Sequence, residues 1–519
     1  MTTKKQFSSL IFLCLFAALV GLSCGPRKIV RNQYTEAKFV PPDAEFLKAY
    51  TPEGDLYILH NWRIDSNRVR GIGVRLDKNR DTIEQREFDI AASNVSLFET
   101  NTNTISFAGS GMVITLVAHA ILTIYCIENP KACFGSCPTF YLNDGTGEKL
   151  MAEGFSSSIL PSLEAEDIDA LPRAVPRGRI LDVTMKNEAL ETHVVRSVDI
   201  MAVPHDPGMH VFKTDGGVFY QASSTIEPSR VDGLNGDALA SVRSFDGVEY
   251  HSKTDSSDLA KKETLNMDFT LSEDGSYGIV IGCRQAFVST YLFYQGMSYL
   301  GHQAGEYLSR LENGDSAMIK AYEQFRSALG GVEVWSEDES GNWKKEGEVT
   351  EMGPIASDIH LIKITANKKP RHIRLIMPQG SWRIDYVTMA KLDREVNPII
   401  LHPTKREHTR DQVLFSDTGR WALRPDKLSN ALITLPGDEY QYTFELPEHP
   451  ERYDLFLRSR GYYLEWMRED WLRDEDPIRA AMFFLDPKQT MRSEAGRFKN
   501  IEEEMETEFW RTKISHNIQ

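Results

Sequence analysis

ISFAGSGMVITLVAHAILTIYCIENPKACFGSCPTF, residues 105–140, joins an uncharged run to three closely spaced cysteines, and the reading of that run decides the fold. Ile105–Cys126 holds 22 residues without Asp, Glu, Lys or Arg, long enough for a helix to cross a bilayer. Read as a span, it makes a single-span membrane protein and puts residues 25–104 and 127–519 on opposite sides, separating strands that look made to pair. Ser106, Gly109, Ser110, Gly111, Thr115, His119 and Thr123 dilute its hydrophobicity, and the lead-in ETNTNT supplies no basic flank. We therefore read 105–126 as a buried helix or strand–helix unit of a domain core. Gly109-Ser110-Gly111 is not a phosphate loop, because no Lys-Ser/Thr follows and the glycine spacing is wrong for a dinucleotide turn.

On its N-terminal side, Asp55–Trp62, Arg68–Leu76 and Thr82–Ile90 are short apolar-alternating runs separated by polar turns, the pattern of a β-meander. On its C-terminal side, strands are expected at Thr139–Leu142, at Lys149–Ala152 after the turn Asn143-Asp144-Gly145, at Arg179–Met185, His193–Val203, His210–Lys213 and Gly217–Gln221, and at Leu265–Leu271 and Tyr277–Cys283. The period then changes. Residues 286–314 and 315–331 read as helices, the second with Met318, Tyr322, Phe325 and Leu329 on one face and Gly330-Gly331 as its stop. From Val332 to Leu457 the chain returns to β in the style of a sandwich or jelly roll, Gly461–Asp474 reads as an aromatic helix, and Glu494–Lys513 as an amphipathic helix.

The expected class is thus mainly β: β-meander and sandwich domains with a central helical insertion and a C-terminal helix. The expected domains are a signal peptide (1–23), a tether (24–50), a β-rich domain (51–300), a helical connector (301–331), a sandwich-like region (332–475) and a helical tail (476–519).

CFGSCPTFYLNDGTGEKLMAEGFSSSILPSLEAEDIDAL, residues 133–171, resembles a segment of uncharacterised exported bacterial lipoproteins. The shared features are Cys-Phe-Gly-x-Cys-Pro, an aromatic strand, an Asp-Gly turn, Ala-Glu-Gly and an acidic segment read as preceding a helix. The likeness covers about residues 50–300 and implies no catalytic residues.

The N-terminus supports export. Lys4 and Lys5 precede an apolar core at Leu10–Leu22, too short for a stable span, and Gly21-Leu22-Ser23-Cys24 resembles a lipobox. Cys24 is the expected lipidation site, and its acyl chains, at about 0.8 kcal/mol per buried CH₂, would be the membrane anchor. The expected location is the outer membrane, lipid-anchored and periplasm-facing, since Arg27 and Lys28 are unlike an acidic surface-export signal. A formal net charge of −16 argues against nucleic acid as a partner.

Four further cysteines remain for an exported chain: Cys126, Cys133, Cys137 and Cys283. Two disulfides are expected, Cys133 with Cys137 as a loop clamp and Cys126 with Cys283 as a long-range staple. The spacing lacks the C-x₂-C pairs of a zinc ribbon and of thioredoxin-like redox motifs.

Candidate chemistry is sparse. His205, Asp206 and His210 invite a metal reading, but Pro207-Gly208 suggests a turn and a further ligand is missing, so no metal or other cofactor is expected. Glu164, Glu166 and Asp167, or Asp255 and Asp258, could flank a glycosidic bond, which wants two carboxylates about 5–10 Å apart. Trp335, Trp343, Trp382, Trp466, Trp471, Tyr462 and Tyr463 could offer a sugar-stacking surface. No Gly-x-Ser-x-Gly elbow, His-Glu-x-x-His or EF-hand loop occurs. The expected role is structural or binding, toward an envelope protein or carbohydrate, with a glycan-active hydrolase as the alternative.

Overall fold

The computed structural model describes residues 27–105 apart from 35–36, 43, 45, 52–54, 66, 77–81 and 96. It also describes residues 137–514 apart from 160–162, 189–190, 305–306, 309–315, 351–352, 409–413, 416–430, 435–437 and 466–473. The chain divides into two compact units, Met1–Asn129 and Pro130–Gln519. The run Ile105–Cys126 lies outside the described residues beyond Ile105, and among those described no helix is long and apolar enough to cross a membrane.

The described part of the first unit is one six-stranded antiparallel sheet. Its order is Arg27–Tyr34, Leu97–Ile105, Phe46–Tyr50, Leu56–Asp65, Arg68–Leu76, Thr82–Ala91. The last three strands are the expected meander. The stretch read as a patternless tether contributes two strands instead: Arg27–Tyr34 pairs with Leu97–Ile105, and Phe46–Tyr50 with Leu56–His60. Strand partners on either side supply the order that its own sequence does not show. Leu47, Ala49, Leu59, Val69, Phe88 and Phe98 are buried together on this sheet.

The second unit stacks two sandwiches and a helical layer. In the first sandwich, a six-stranded sheet includes Glu439–Glu445, Ile180–Lys186, Thr139–Asn143 and Glu148–Glu153, and it faces a sheet ordered Ile399–Leu401, Glu191–Pro204, Tyr453–Glu465, Ala165–Ala170. Phe140, Leu181, Val183 and Phe444 of one meet Val198, Ile200 and Leu457 of the other. In the second sandwich, the sheet His210–Lys213, Phe219–Ile226, Trp382–Val396, Tyr277–Gln285, Asp358–Ile364 packs on a six-stranded sheet built around Lys262–Asp268, His372–Pro378 and Val332–Glu337. Ile279, Ile281, Ile384 and Met389 face Leu265, Val334 and Leu375 there. A further cluster, with Met201, Val203 and Phe456 against Phe212, Phe219 and Leu361, joins the two sandwiches.

This interleaving departs from the expected sequential domains. Glu191–Pro204 pairs along its length with Tyr453–Glu465, and Tyr277–Gln285 with Trp382–Val396, so the 51–300 and 332–475 regions are not separate bodies. Each antiparallel partner lies far along the chain because one sheet face must be covered by strands that local turns cannot deliver. Residues Gly461–Glu465, read as helical, complete the strand Tyr453–Glu465; Tyr462 and Leu464 pack with Val194, and Tyr463 with the first sandwich core.

The helices Val288–Leu300, Ser316–Leu329, Pro477–Leu485 and Pro487–Ile514 share one core through Leu292, Met297, Phe483, Met491, Phe498 and Met505. The expected connector and tail are therefore a single helical layer. Pro477 and Pro487 each open a helix where a missing N–H costs nothing. Asp476 caps the first through Arg479 N, and Asp486 accepts from Gln489 N at 3.1 Å at the second. The amphipathic face read at Phe498, Ile501 and Met505 docks on the body, each such aromatic or aliphatic burial contributing about 1.5–3 kcal/mol.

Candidate acidic pocket

A cavity of about 260 Å³ opens in the second unit where the two sandwiches meet. Ala165–Ala170 is the edge strand of one sheet and Asp358–Ile364 an edge of the other. A parallel bridge between Thr214 and Leu361 brings the end of His210–Lys213 beside them. Side chains two residues apart on a strand share a face. The topology therefore turns three i, i+2 pairs toward one space: Asp167 and Asp169, Lys213 and Asp215, Asp358 and His360. Between them, Ile359 packs into the apolar cluster, with Ile168 against it.

The polar groups form a connected set. Asp358 accepts the Ala170 N–H at 2.7 Å, which satisfies a backbone donor on the open side of the edge strand. Its other oxygen lies 3.5 Å from Lys213 Nζ and 3.5 Å from His360 Nε2. His360 Nδ1 lies 2.8 Å from Asp215 Oδ1. Asp167 accepts the N–H groups of Phe155 and Ile168, each at 3.0 Å. Phe155 sits at φ 38°, a left-handed conformation that a bulky residue rarely adopts, and this aims its N–H at Asp167.

Glu153 forms the floor. It accepts from Ile355 N at 2.7 Å and Ala356 N at 3.1 Å, and the buried Cys137 thiol lies 2.6 Å from its other oxygen. Gly353 allows this approach, since a Cβ there would fall 2.2 Å from the Glu153 carboxyl carbon.

Asp169 differs from all of these. It is only 6% exposed, and its Oδ2 is buried with no hydrogen-bond partner among the described residues. Burial, then the neighbouring carboxylates of Asp167 and Asp358, push its pKa well above the ordinary aspartate value. Burial also raises Asp167, against the opposing pull of Lys213. Burial raises Glu153, partly offset by its hydrogen bonds from Cys137, Ile355 and Ala356. At Asp215 burial works the same way, but the bond to His360 and the charges of His360 and Lys213 together outweigh it and the pKa falls. Burial opposes the Lys213 ammonium, yet Asp358, Asp167 and Asp169 outweigh it and keep the charge. The pocket thus sets carboxylates held by donors or cations beside one buried carboxyl, Asp169, whose pKa is pushed well above the usual range and whose Oδ2 has no partner among the described residues.

The residues singled out from sequence fall elsewhere, Asp167 and Glu166 excepted. Cys24, Cys126 and Cys133 lie outside the described residues. Cys137 is a buried free thiol, and Cys283 is buried in the strand Tyr277–Gln285. The rings of His205 and His210 come within 6.2 Å, but the Asp206 carboxylate is taken by Gln221 Nε2 at 3.0 Å and Arg394 at 2.9 Å. Among the described residues no group of three or more His, Cys, Asp or Glu side chains is placed to hold a metal. Asp255 bonds to Lys261 and accepts the Asp258 N–H at 3.2 Å, and Asp258 pairs with Arg492, away from this pocket. The segment read as preceding a helix, 163–171, holds the strand Ala165–Ala170 instead. Of the aromatic residues, Trp382, Tyr462 and Tyr463 are buried, Trp335 bonds to Glu333, and Trp343 lies under the Arg374 guanidinium at 3.6 Å. Trp466 and Trp471 lie outside the described residues.

No protein-family model matches the chain, and no curated protein matches it. A solved structure of allantoicase is similar to 52% of this chain and 97% of that chain, at 9% identity and a TM-score of 0.17, too slight a likeness to carry an argument.

Proposed function

We propose that this chain is a lipid-anchored envelope protein whose second unit binds a small ligand in the acidic pocket. The observation that supports binding is the Asp169 carboxyl, buried inside a cavity with its Oδ2 left without a partner among the described residues, where natural proteins satisfy buried polar groups. A ligand that donates to it would complete the set. A ligand-observed NMR screen with small hydroxylated and amine compounds, run on the full chain and on Asp169→Asn, tests this. Hits that vanish in the variant support the pocket, and hits indifferent to it overturn the reading.

The anchor is proposed from Gly21-Leu22-Ser23-Cys24. Acyl mass on the wild type and a soluble Cys24→Ala protein, after expression in a Gram-negative host, support it. An integral Cys24→Ala protein overturns it in favour of a span through 105–126.

A second reading, hydrolysis of a glycosidic bond, draws on the acid pair itself. Asp167 and Asp169 share one strand face, where backbones two residues apart rise by about 6.6 Å, a spacing from which two carboxyls can be set at the roughly 6.5–9.5 Å that an inverting acid and base require. In that chemistry Asp169 protonates the leaving oxygen while Asp167 takes a proton from the attacking water. Failure to release nitrophenol from any aryl glycoside tried would remove this second reading without touching the first.

A further inference from the structure

We infer that the pocket selects a primary ammonium group on a ligand of single-ring size, held at Asp169 between Asp167 and Asp358. The inference rests on the binding reading and names the chemistry of its ligand.

Three observations carry it. Six carboxylate side chains line the cavity against Lys213 and His360, so the space is electrostatically short of positive charge. Five of those carboxylates already have donors or cations: Asp167, Asp358, Asp215 and Glu153 as described, and Glu166 with Arg458 at 3.9 Å. Among the described residues that line the cavity, Asp169 is the carboxylate that offers a buried oxygen with no partner. A neutral hydroxyl would bring no positive charge to a cavity lined by six carboxylates, and an anion would meet like charge in a low-dielectric space.

A metal ion suits the pocket poorly, because the described carboxylates are not gathered for direct coordination. An ammonium needs only hydrogen-bond distances, and Lys213 already shows that one is accommodated beside Asp358. The volume of about 260 Å³ is below the roughly 300–1,000 Å³ usual for drug-sized ligands, which limits the occupant to one ring or an amino-acid-sized group.

Binding would also shift a proton. Asp169 faces Asp167 on its own strand, Asp358 across the sheet edge, Lys213 and Glu153. An arriving ammonium replaces the proton that Asp169 holds against those carboxylates, so affinity rises with pH and a proton leaves on binding.

Isothermal titration with glucosamine, glucose and glucuronate, three rings that differ in charge, tests the inference on the full chain in detergent. Expected is glucosamine binding at least about ten-fold tighter than glucose, as a hydrogen bond to a charged group commands. No glucuronate binding is expected. Asp169→Asn is expected to erase the preference, and Asp255→Asn, a carboxylate outside the pocket, to preserve it. Glucose or glucuronate binding as tightly as glucosamine overturns the ammonium inference and leaves the pocket standing. No binding by any of the three, or a preference indifferent to Asp169→Asn, overturns the inference as well. Screening hits indifferent to Asp169→Asn, as described above, would be needed to remove the pocket.

Discussion

Asp169→Asn should make this protein more stable while removing ligand binding. In the unfolded chain Asp169 titrates near the ordinary value of about 3.9. In the folded chain burial and the Asp167 and Asp358 carboxylates hold its pKa well above that. A folded acid with a raised pKa binds more proton than the unfolded one between the two values. Stability therefore falls as pH rises through that window, by about 1.4 kcal/mol per pH unit. The asparagine carries no such proton and escapes the loss. The two proteins should coincide near pH 4 and separate above it. By pH 6 the gap should be at least about 1 kcal/mol, the lower end of what an unsatisfied buried polar group costs. In a chain of this size that raises Tm by about 1 °C. Lys213, whose ammonium the surrounding carboxylates favour, stays ionised throughout this window. Thermal unfolding at pH 4, 6 and 8, followed by circular dichroism, reads the gap directly. A variant that is less stable at pH 8, or a gap of equal size at every pH, would refute the reasoning, since either outcome means that Asp169 is partnered or ionised at no cost.

Lys213→Met should be the opposite case. It strips the ammonium 3.5 Å from Asp358 in a pocket crowded with carboxylates, and breaking a buried pair from one side costs about 3–5 kcal/mol. Urea unfolding should show that loss at pH 7 and a smaller one near pH 4, where the carboxylates gain protons. Gly353→Ala should cost about 1–3 kcal/mol by overpacking, because its methyl would displace the Glu153 carboxylate from the Ile355 and Ala356 N–H groups, and the same unfolding experiment checks it. Cys137, whose pKa burial raises well above the usual thiol value, should resist alkylation in the native protein at pH 8 and react on unfolding without reductant. A requirement for reductant, scored by mass, would instead reveal the clamp to Cys133.

The architecture was legible where the signal is local. The meander from Leu56 to Ala91 follows from period-two alternation between polar turns. The turn after Thr139–Asn143 follows from an aspartate that accepts the Thr146 and Gly147 N–H groups, next to a glycine at φ 90°. The mixing of distant strands was not legible, because the pairing of Glu191–Pro204 with Tyr453–Glu465 is specified by which faces fit, and no turn between them records it.

The pocket was illegible for a related reason, although its elements carry a recognisable local anomaly. Asp167-Ile168-Asp169, Lys213-Thr214-Asp215 and Asp358-Ile359-His360 each place two ionisable residues on one face of a strand or its end. In an ordinary solvated sheet that alternation means charges outward and apolar residues inward. Here Ile359, packed in the cluster between the sandwiches with Ile168 against it, sits on one side, and the flanking charges turn to the other. That second side is itself covered: Asp169, Lys213, Asp358 and His360 are all buried. A strand buried on both faces normally reads as a continuous apolar run. An edge strand buried on both faces yet carrying paired charges on one of them can be stable only if the charges of several strands answer one another. Their separation along the chain, from Asp167 to His360, hides that answer in the sequence. Asp169 Oδ2 and His360 Nε2 have no hydrogen-bond partner among the described residues, and the Asp169 carboxyl is accordingly where a ligand that donates has most to contribute.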